Sequence, residues 1–191
     1  MNVVAFNCSP NEEGNTFKAL SRVTKVLGSE DIDTEIVQVA QKPIYGCRSC
    51  FVCSKIKEGF CVIDSDILNT CLKKMYEADG VLIGSPVYFG SVTMQAKALI
   101  DRTGLCAMAG GYLLKRKVCA GVIAVRRQGA VTALNQINNL FMLNQSIIVC
   151  SDYWNMGIGH MDNAIEKDDE GLNTLDLLGQ NMAWLIKKIN Q

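Results

Sequence analysis

Residues 2–27 read NVVAFNCSPNEEGNTFKALSRVTKVL and contain the pattern that decides the fold. Their start, Asn2–Asn7, is a short and mostly apolar run of strand-forming residues. A polar loop with Pro10 and Gly14 follows, and Thr16–Leu27 then repeats apolar residues at helical spacing. The stretch therefore predicts a strand, a tight loop and a helix, which is the opening unit of a parallel α/β sheet.

The same alternation continues and predicts five strands joined by helices. The further strands are expected at Glu35–Val39, Gly80–Gly84, Val118–Val125 and Ile147–Cys150. The further helices are expected at Asp66–Glu77, Val92–Gly104 and Ala130–Leu143, with a last one from near Asn173. Because near-continuous apolar strands are buried on both faces, we expect a three-layer, doubly wound α/β sandwich. Its parallel five-stranded sheet is expected in the flavodoxin-like order 2-1-3-4-5.

An irregular, cysteine-rich insert at about residues 41–63 interrupts this alternation after the second strand. The helix that follows it is expected to be capped by Asp64 or Ser65, since either side chain can accept a free backbone N–H.

Composition indicates one domain over residues 1–191 and argues against several classes of partner. The chain is 49% hydrophobic and 20% charged, with 19 basic and 19 acidic residues. Such a chain buries enough apolar surface to fold, and its balanced charge does not favour a nucleic-acid or anionic membrane partner. No apolar run reaches the roughly 20 residues that span a bilayer, and no export signal follows Met1. We therefore expect a cytoplasmic protein.

The loop after the first strand carries donors suited to a phosphate monoester. These are supplied by Ser9, Asn11, Gly14, Asn15 and Thr16. They precede or begin a helix, where unpaired N–H groups and the helix dipole favour an anion. The absence of a Gly-Lys-Ser/Thr sequence excludes a Walker A site. An ordinary capped turn is an equally good interpretation of these residues taken alone.

The loop after the third strand adds an apolar surface beside that site. The candidate binding residues are Pro86, Val87, Tyr88, Phe89 and Gly90. The first and third strands are neighbours in the expected order, so the two loops meet. One loop suited to a phosphate and one suited to a flat ring predict a mononucleotide, although loop aromatics also serve as plain packing. Arg126, after the fourth strand, is expected to approach the ring from the other side or to be an ordinary surface charge.

Nine cysteines without an export signal argue against a disulfide framework. Cys119 and Cys150 lie in apolar runs and are expected to be buried. Four others form the compact motif C-x2-C-x2-C with a fourth thiol nearby: Cys47, Cys50, Cys53 and Cys61. The triplet on one turn is more typical of a [4Fe–4S] cluster than of structural zinc, which usually takes two separated pairs. Zinc and metal-free thiols are the alternatives.

The two loops also carry a family resemblance. Residues 9–16, SPNEEGNT, and residues 85–102, SPVYFGSVTMQAKALIDR, resemble FMN-binding flavodoxin-like reductases. These include NAD(P)H-dependent flavin and quinone reductases and iron–sulfur flavoproteins, and the resemblance covers nearly the whole chain. It implies that the two loops bind FMN and that the cysteine motif is similar to the cluster motif of iron–sulfur flavoproteins. It also implies a homodimer or homotetramer that receives electrons from a ferredoxin-like protein or NAD(P)H.

These inferences predict an FMN-dependent oxidoreductase in which FMN and a [4Fe–4S] cluster exchange electrons on the way to a small-molecule acceptor. The cofactors carry the redox chemistry, so no catalytic side chain is expected. One alternative is an NAD(P)H-dependent flavin, quinone or nitro reductase that uses FMN alone. Another, from a different class, is a non-catalytic electron carrier or a redox sensor.

Overall fold

The computed structural model describes residues 1–161 and 164–191, in which strands and helices alternate as the sequence predicts. The strands are β1 (Asn2–Asn7), β2 (Asp33–Gln38), β3 (Gly80–Pro86), β4 (Val118–Val125), β5 (Ile147–Ile148) and β6 (Met156–Ile158). The helices are α1 (Asn15–Ser29), α2 (Val52–Ile56), α3 (Leu68–Glu77), α4 (Met94–Ala109), α5 (Ala130–Leu143) and α6 (Asp169–Ile189), with a 3₁₀ turn at Ala164–Lys167.

The strands form one parallel sheet in the order β2-β1-β3-β4-β5, which confirms the predicted flavodoxin-like order. The register places Asn7 of β1 beside Gln38 of β2 on one side and beside Gly84 of β3 on the other. The carboxyl ends of these three strands therefore meet at one edge of the sheet.

The fifth strand differs from the prediction because it is split in two. β5 pairs with β4 at Val118 and Cys119, and β6 pairs with β4 at Ile123–Val125. The described residues thus give six strands in five positions, instead of a continuous strand over Ile147–Cys150. The chain leaves the sheet after β5 and returns at β6, so Cys150 is exposed and its predicted burial is wrong.

Alternating side chains of the central strands fill two apolar clusters, one on each face of the sheet. Val4 and Phe6 of β1 pack with residues of α3, α4 and α5. Val3 and Ala5 pack with residues of α1 and α6 on the opposite face. The expected three layers are therefore present, with the helices covering both faces. None of the described helices has the length and apolar character needed to cross a bilayer.

Four helices begin at residues other than those predicted: α1, α3, α4 and α6. For α3 and α6 an aspartate explains the observed start. α3 begins at Leu68, whose N–H donates to Asp66 Oδ1 (3.1 Å), so neither Asp64 nor Ser65 provides the expected cap. α6 begins at Asp169, four residues before the expected Asn173, and the Asp168 carboxylate accepts the N–H of Gly171 (3.1 Å). A carboxylate satisfies free N–H groups at a helix start and interacts favourably with the dipole there.

Candidate cofactor-binding site

The loops after β1, β3 and β4 lie against one another at the carboxyl edge of the sheet. The N–H of Cys8 donates to the carbonyl of Gly84 (2.9 Å), and the N–H of Val87 donates to the carbonyl of Ala124 (3.0 Å). Thr93 joins the first two loops, because its hydroxyl donates to the carbonyl of Cys8 (2.9 Å). The same Thr93 oxygen accepts the N–H of Ala96 (3.1 Å) and caps α4. The structure therefore brings together the loops in which the sequence predicts a phosphate site and a ring site.

The start of α1 contains a buried hydroxyl group, that of Thr16. Thr16 is 1% exposed, and its Oγ1 has no hydrogen-bond partner within the described residues. An unsatisfied buried polar group costs about 1–3 kcal/mol, so its presence needs a reason. The cap residue Gly14 has no side chain that could accept from the helix, and the N–H groups of the first turn have no intrahelical acceptors. Together, the Thr16 hydroxyl and these N–H groups form a set of donors that suits an anionic oxygen ligand such as a phosphate.

The other predicted phosphate residues differ in how their side chains are used. Ser9 is 5% exposed, and its Oγ accepts the N–H of Asn11 (3.1 Å), which leaves the hydroxyl proton available. A Cβ atom on Gly14 would lie 2.9 Å from Asn11 Cγ, so a larger residue here would require the Asn11 side chain to shift. Asn15 is already occupied by the segment after β6. Its Nδ2 donates to the carbonyl of Met161 (3.0 Å), and its Oδ1 accepts the N–H of Ile165 (3.2 Å).

The loop after β3 ends in a tight turn that projects aromatic side chains. Tyr88 and Ser91 exchange two backbone hydrogen bonds of 2.9 and 3.0 Å. Phe89 and Gly90 between them have positive φ angles of 49° and 76°, the left-handed conformation that a two-residue hairpin turn needs. Tyr88 and Phe89 are exposed, whereas Pro86 and Val87 are half-buried at the base of the loop. The predicted ring residues thus form a mainly apolar surface open to solvent.

The loop after β4 touches this turn through Gly129. A Cβ atom on Gly129 would lie 2.9 Å from the Cα of Gly90, and the φ of Gly129 is 91°. Glycine is therefore required for the two loops to approach. Arg126, the first residue after β4, is exposed beside them. A further aromatic pair, Tyr153 and Trp154, lies between β5 and β6 with ring centroids 4.5 Å apart.

The four clustered cysteines line one small pocket between the insert and α4. Cys47 and Cys50 are exposed, Cys53 is buried and Cys61 is intermediate. The turn that carries the triplet has left-handed backbone at Ser49 and Phe51, with φ angles of 50° and 54°. The N–H of Ser49 donates to Cys47 Sγ (3.4 Å), the kind of bond that stabilises a thiolate ligand.

Within the described ranges, no three Cys, His, Asp or Glu side chains are arranged to hold a metal ion. The cysteines therefore line the pocket without gathering around one point. A lone zinc ion needs its sulfur ligands at about 2.3 Å, whereas an iron–sulfur cluster has separate iron atoms for separate cysteines. Four cysteines around one pocket provide soft sulfur donors, which are compatible with an iron–sulfur cluster.

Three residues of α4 complete the pocket: Arg102, Leu105 and Cys106. The sequence pattern alone assigns none of them to it. Cys106 is 1% exposed, and burial, followed by the neighbouring Cys53 and Cys61, raises the pKa of its thiol. Arg102 is also 1% exposed and pairs with the buried carboxylate of Asp66. Burial opposes the charge of Arg102, but hydrogen bonds with Asp66 and Cys61 outweigh it and raise the pKa of the guanidinium. The sequence gives one indication for Arg102 and Cys106: both lie on the buried face of a helix that follows a candidate binding loop.

Comparisons with known proteins agree with this geometry. The sequence model of a family described as NADPH-dependent FMN reductase matches residues 1–161. An iron-sulfur flavoprotein of Methanocaldococcus jannaschii is 36% identical over 199 residues, covering all of both chains. An iron-sulfur flavoprotein of Archaeoglobus fulgidus is 32% identical over 198 residues, covering 96% of this chain and 94% of the relative.

Solved structures support the fold. RosB with a bound 8-demethyl-8-formylriboflavin-5'-phosphate intermediate has a TM-score of 0.79 and 16% identity, covering 100% of this chain and 80% of that one. A WrbA-like flavodoxin protein from Agrobacterium tumefaciens has a TM-score of 0.65 and 16% identity, covering 98% of this chain and 97% of that one. At this identity the likeness establishes the flavodoxin-like fold alone.

Proposed function

The chain belongs to the NADPH-dependent FMN reductase family and is a flavin-dependent oxidoreductase, and we propose that its FMN exchanges electrons with a [4Fe–4S] cluster. The ligands of that cluster would be Cys47, Cys50, Cys53 and Cys61. The observation that carries this proposal is the single pocket lined by all four cysteines. The relatives named iron-sulfur flavoproteins support it, since one of them aligns over the full length of both chains.

The phosphate of FMN would be held by neutral donors at the start of α1. The Thr16 hydroxyl would donate to it, which would give this buried group the partner that it lacks among the described residues. Ser9, Asn11, Gly14 and the backbone N–H of Asn15 would complete the cradle. The side chain of Asn15 would instead fix the segment after β6 against the loop.

The flavin ring would lie on the loop after β3. Pro86 and Val87 would form its base, and Tyr88, Phe89 and Gly90 the turn beside it. Arg126 would face the ring from the loop after β4 and favour negative charge on it. When bound, FMN supplies one- and two-electron redox chemistry and the cluster supplies one-electron transfer. The role of these side chains is to hold, orient and electrostatically stabilise the two groups.

Electron donors and assembly belong to the same proposal. A ferredoxin-like protein or NAD(P)H would supply electrons, and a small molecule would accept them. A homodimer or homotetramer of this single FMN-binding domain would place the cluster of one subunit near a flavin. Sedimentation equilibrium of the purified protein tests the assembly, because a monomer at all concentrations would contradict it.

A second candidate is an NADPH-dependent reductase that uses FMN alone. The description of the matching family favours it. In that case the cysteine pocket would have no part in turnover, and reduction of an added quinone by NADPH would not depend on Cys50.

The two candidates are distinguished by anaerobic purification with iron, acid-labile sulfide, zinc and FMN measured on one sample. The proposal predicts FMN together with about four iron and four sulfide per chain. Cys50→Ser should lose most of the iron and keep FMN, whereas the control Cys150→Ser, at an exposed cysteine outside the pocket, should keep both. FMN without iron or sulfide, even after anaerobic reconstitution, would favour the second candidate.

A further inference from the structure

Arg102 is a buried cation in which one nitrogen atom, Nε, has no hydrogen-bond partner within the described residues. Its Nη1 donates to the carbonyl of Tyr45 (3.0 Å) and to the carboxylate of Asp66, and its Nη2 donates to the carbonyl of Ile63 (3.1 Å). A buried charged group with an unsatisfied donor costs free energy of folding, and the contacts named above leave the Nε–H unsatisfied.

The position of Arg102 relates this unused donor to the cysteines. Arg102 lines the cysteine pocket, and its guanidinium lies beside Cys61. Its counter-ion Asp66 is not among the residues that line the pocket, and accepts instead from the N–H groups of Tyr45 and Leu68. The positive member of the buried pair is therefore the one that faces the thiols.

A positive charge at this place has a definite effect on a cluster bound there. One-electron reduction adds a negative charge to a group that already carries four thiolates, with no bond made or broken. A cation and an N–H donor close to the sulfur atoms stabilise the more negative state, most strongly where water is excluded. The reduction potential of the cluster would therefore be raised by Arg102.

We propose that Arg102 donates its Nε–H to the sulfur atoms of the cluster and stabilises the reduced state. This inference rests on the proposed function, because it requires a cluster in the cysteine pocket. The competing explanation is that the Arg102–Asp66 pair only fastens the insert to α4. A purely structural pair predicts that removing its charges changes stability and leaves the potential of the intact cluster unchanged.

The test is a redox titration of the anaerobically prepared protein, with the reduced cluster followed by electron paramagnetic resonance. The variant Arg102→Gln/Asp66→Asn removes both charges and leaves neither uncompensated, whereas Arg102→Lys retains the positive charge. The matched control Arg22→Gln/Asp176→Asn removes another Arg–Asp pair, which joins α1 to α6. Dithionite serves as the reductant in all samples.

We expect the double variant at Arg102 to shift the one-electron equilibrium at least tenfold against the reduced cluster, which corresponds to 59 mV. Arg102→Lys and the control pair should stay within tenfold of the wild type. A potential unchanged in the double variant would overturn the inference. A wild type that holds FMN but no iron would overturn the cluster proposal as well.

If the double variant fails to retain iron, the wild-type protein itself decides the question. Protein grown with ¹⁵N-arginine should show nitrogen coupling to the reduced cluster in pulsed electron paramagnetic resonance. That coupling should be lost in Arg102→Lys and retained in Arg48→Lys, which alters another arginine that lines the pocket. No difference between labelled wild type and Arg102→Lys would overturn the inference.

Discussion

At the scale of single residues, Thr16 connects the fold to the proposed cofactor. Its side chain is buried because the residue lies on the face of α1 that packs against the sheet, next to where a Cβ atom on Gly84 would be. Burial of an unsatisfied hydroxyl destabilises the protein unless a ligand accepts from it. The position of a threonine in the first turn could be predicted from the sequence. Its orphaned oxygen could not, because that depends on which neighbours the fold brings close.

Thr16→Val should weaken FMN binding at least about tenfold, because one charge-assisted hydrogen bond to the phosphate is lost. The stability of the flavin-free protein should not fall, since the hydroxyl has no partner to lose among the described residues. Fluorescence titration and urea unfolding measure the two quantities. The control Thr24→Val removes a hydroxyl of the same helix that donates to the carbonyl of Ser21, and should leave FMN affinity unchanged. Equal affinities of the wild type and Thr16→Val would remove Thr16 from the site.

At the scale of elements, the buried ion pair between Arg102 and Asp66 joins both ends of the cysteine insert to α4. Arg102 donates to carbonyls at Tyr45 and Ile63, on either side of the cysteine motif, and Asp66 accepts the N–H of Tyr45. The side chains of Arg102 and Asp66 are 1% and 0% exposed. Burial by itself raises the pKa of Asp66, but hydrogen bonds from Arg102, Tyr45 and Leu68 outweigh it and lower that pKa below its ordinary value.

This pair predicts a pH-dependent loss of stability. Because the pKa of Asp66 is lower in the folded protein than its ordinary value of 3.8, the carboxylate stabilises the fold above about pH 4, and this contribution is lost as the pH falls through the folded pKa. Asp66→Asn should destabilise the protein by about 3–5 kcal/mol at pH 7, since it leaves a buried arginine unpaired. The difference from wild type should shrink below pH 4 in urea unfolding experiments.

The matched control for this prediction is Asp101→Asn, in the exposed pair between Asp101 and Lys97 of α4. An exposed pair of this kind contributes less than about 1 kcal/mol, so this variant should lie close to wild type at every pH. A wild-type minus Asp66→Asn difference that stays constant from pH 7 to pH 3 would contradict the account of the ion pair.

The elements also show where sequence reasoning succeeds. β1, β4 and α5 have the bounds predicted for them, because continuous apolar runs and helical periodicity are local properties. The split of the fifth strand and the starts of α3 and α6 could not be read in the same way. They depend on pairing with β4 and on Asp66 and Asp168, whose carboxylates accept backbone N–H groups that folding brings within reach.

At the scale of the whole molecule, the nine cysteines fall into groups with different chemistry. Four are buried outside the insert: Cys8, Cys71, Cys106 and Cys119. Burial is the largest cause that raises their pKa values, to about 12 for Cys71 and Cys119 and higher for Cys8 and Cys106. Cys47 and Cys50 at the pocket are exposed, as is Cys150. The spacing of the clustered cysteines could be recognised in the sequence. The exposure of Cys150 could not be predicted, because it results from the split of the fifth strand.

Thiol alkylation should therefore depend on the cofactor content. In the anaerobic protein with its full iron content, iodoacetamide at pH 8 should modify Cys150 and spare Cys47 and Cys50, because their thiolates would be bound to iron. After the iron is removed, Cys47 and Cys50 should react, and the four cysteines with raised pKa values should stay unmodified in both states. Peptide mass spectrometry measures each site. Rapid modification of Cys47 and Cys50 in the iron-loaded protein would contradict their assignment as ligands.

The central claim is that the loop between β1 and α1 holds the phosphate of a flavin whose ring lies on the loop after β3. Riboflavin has the same ring without the phosphate, so it isolates the contribution of this loop. The most direct measurement is a fluorescence titration of the flavin-free protein with FMN and with riboflavin. The account predicts that FMN binds at least about 100-fold more tightly, because several donors act on the phosphate. Equal affinities for the two flavins, or no binding of either, would contradict it.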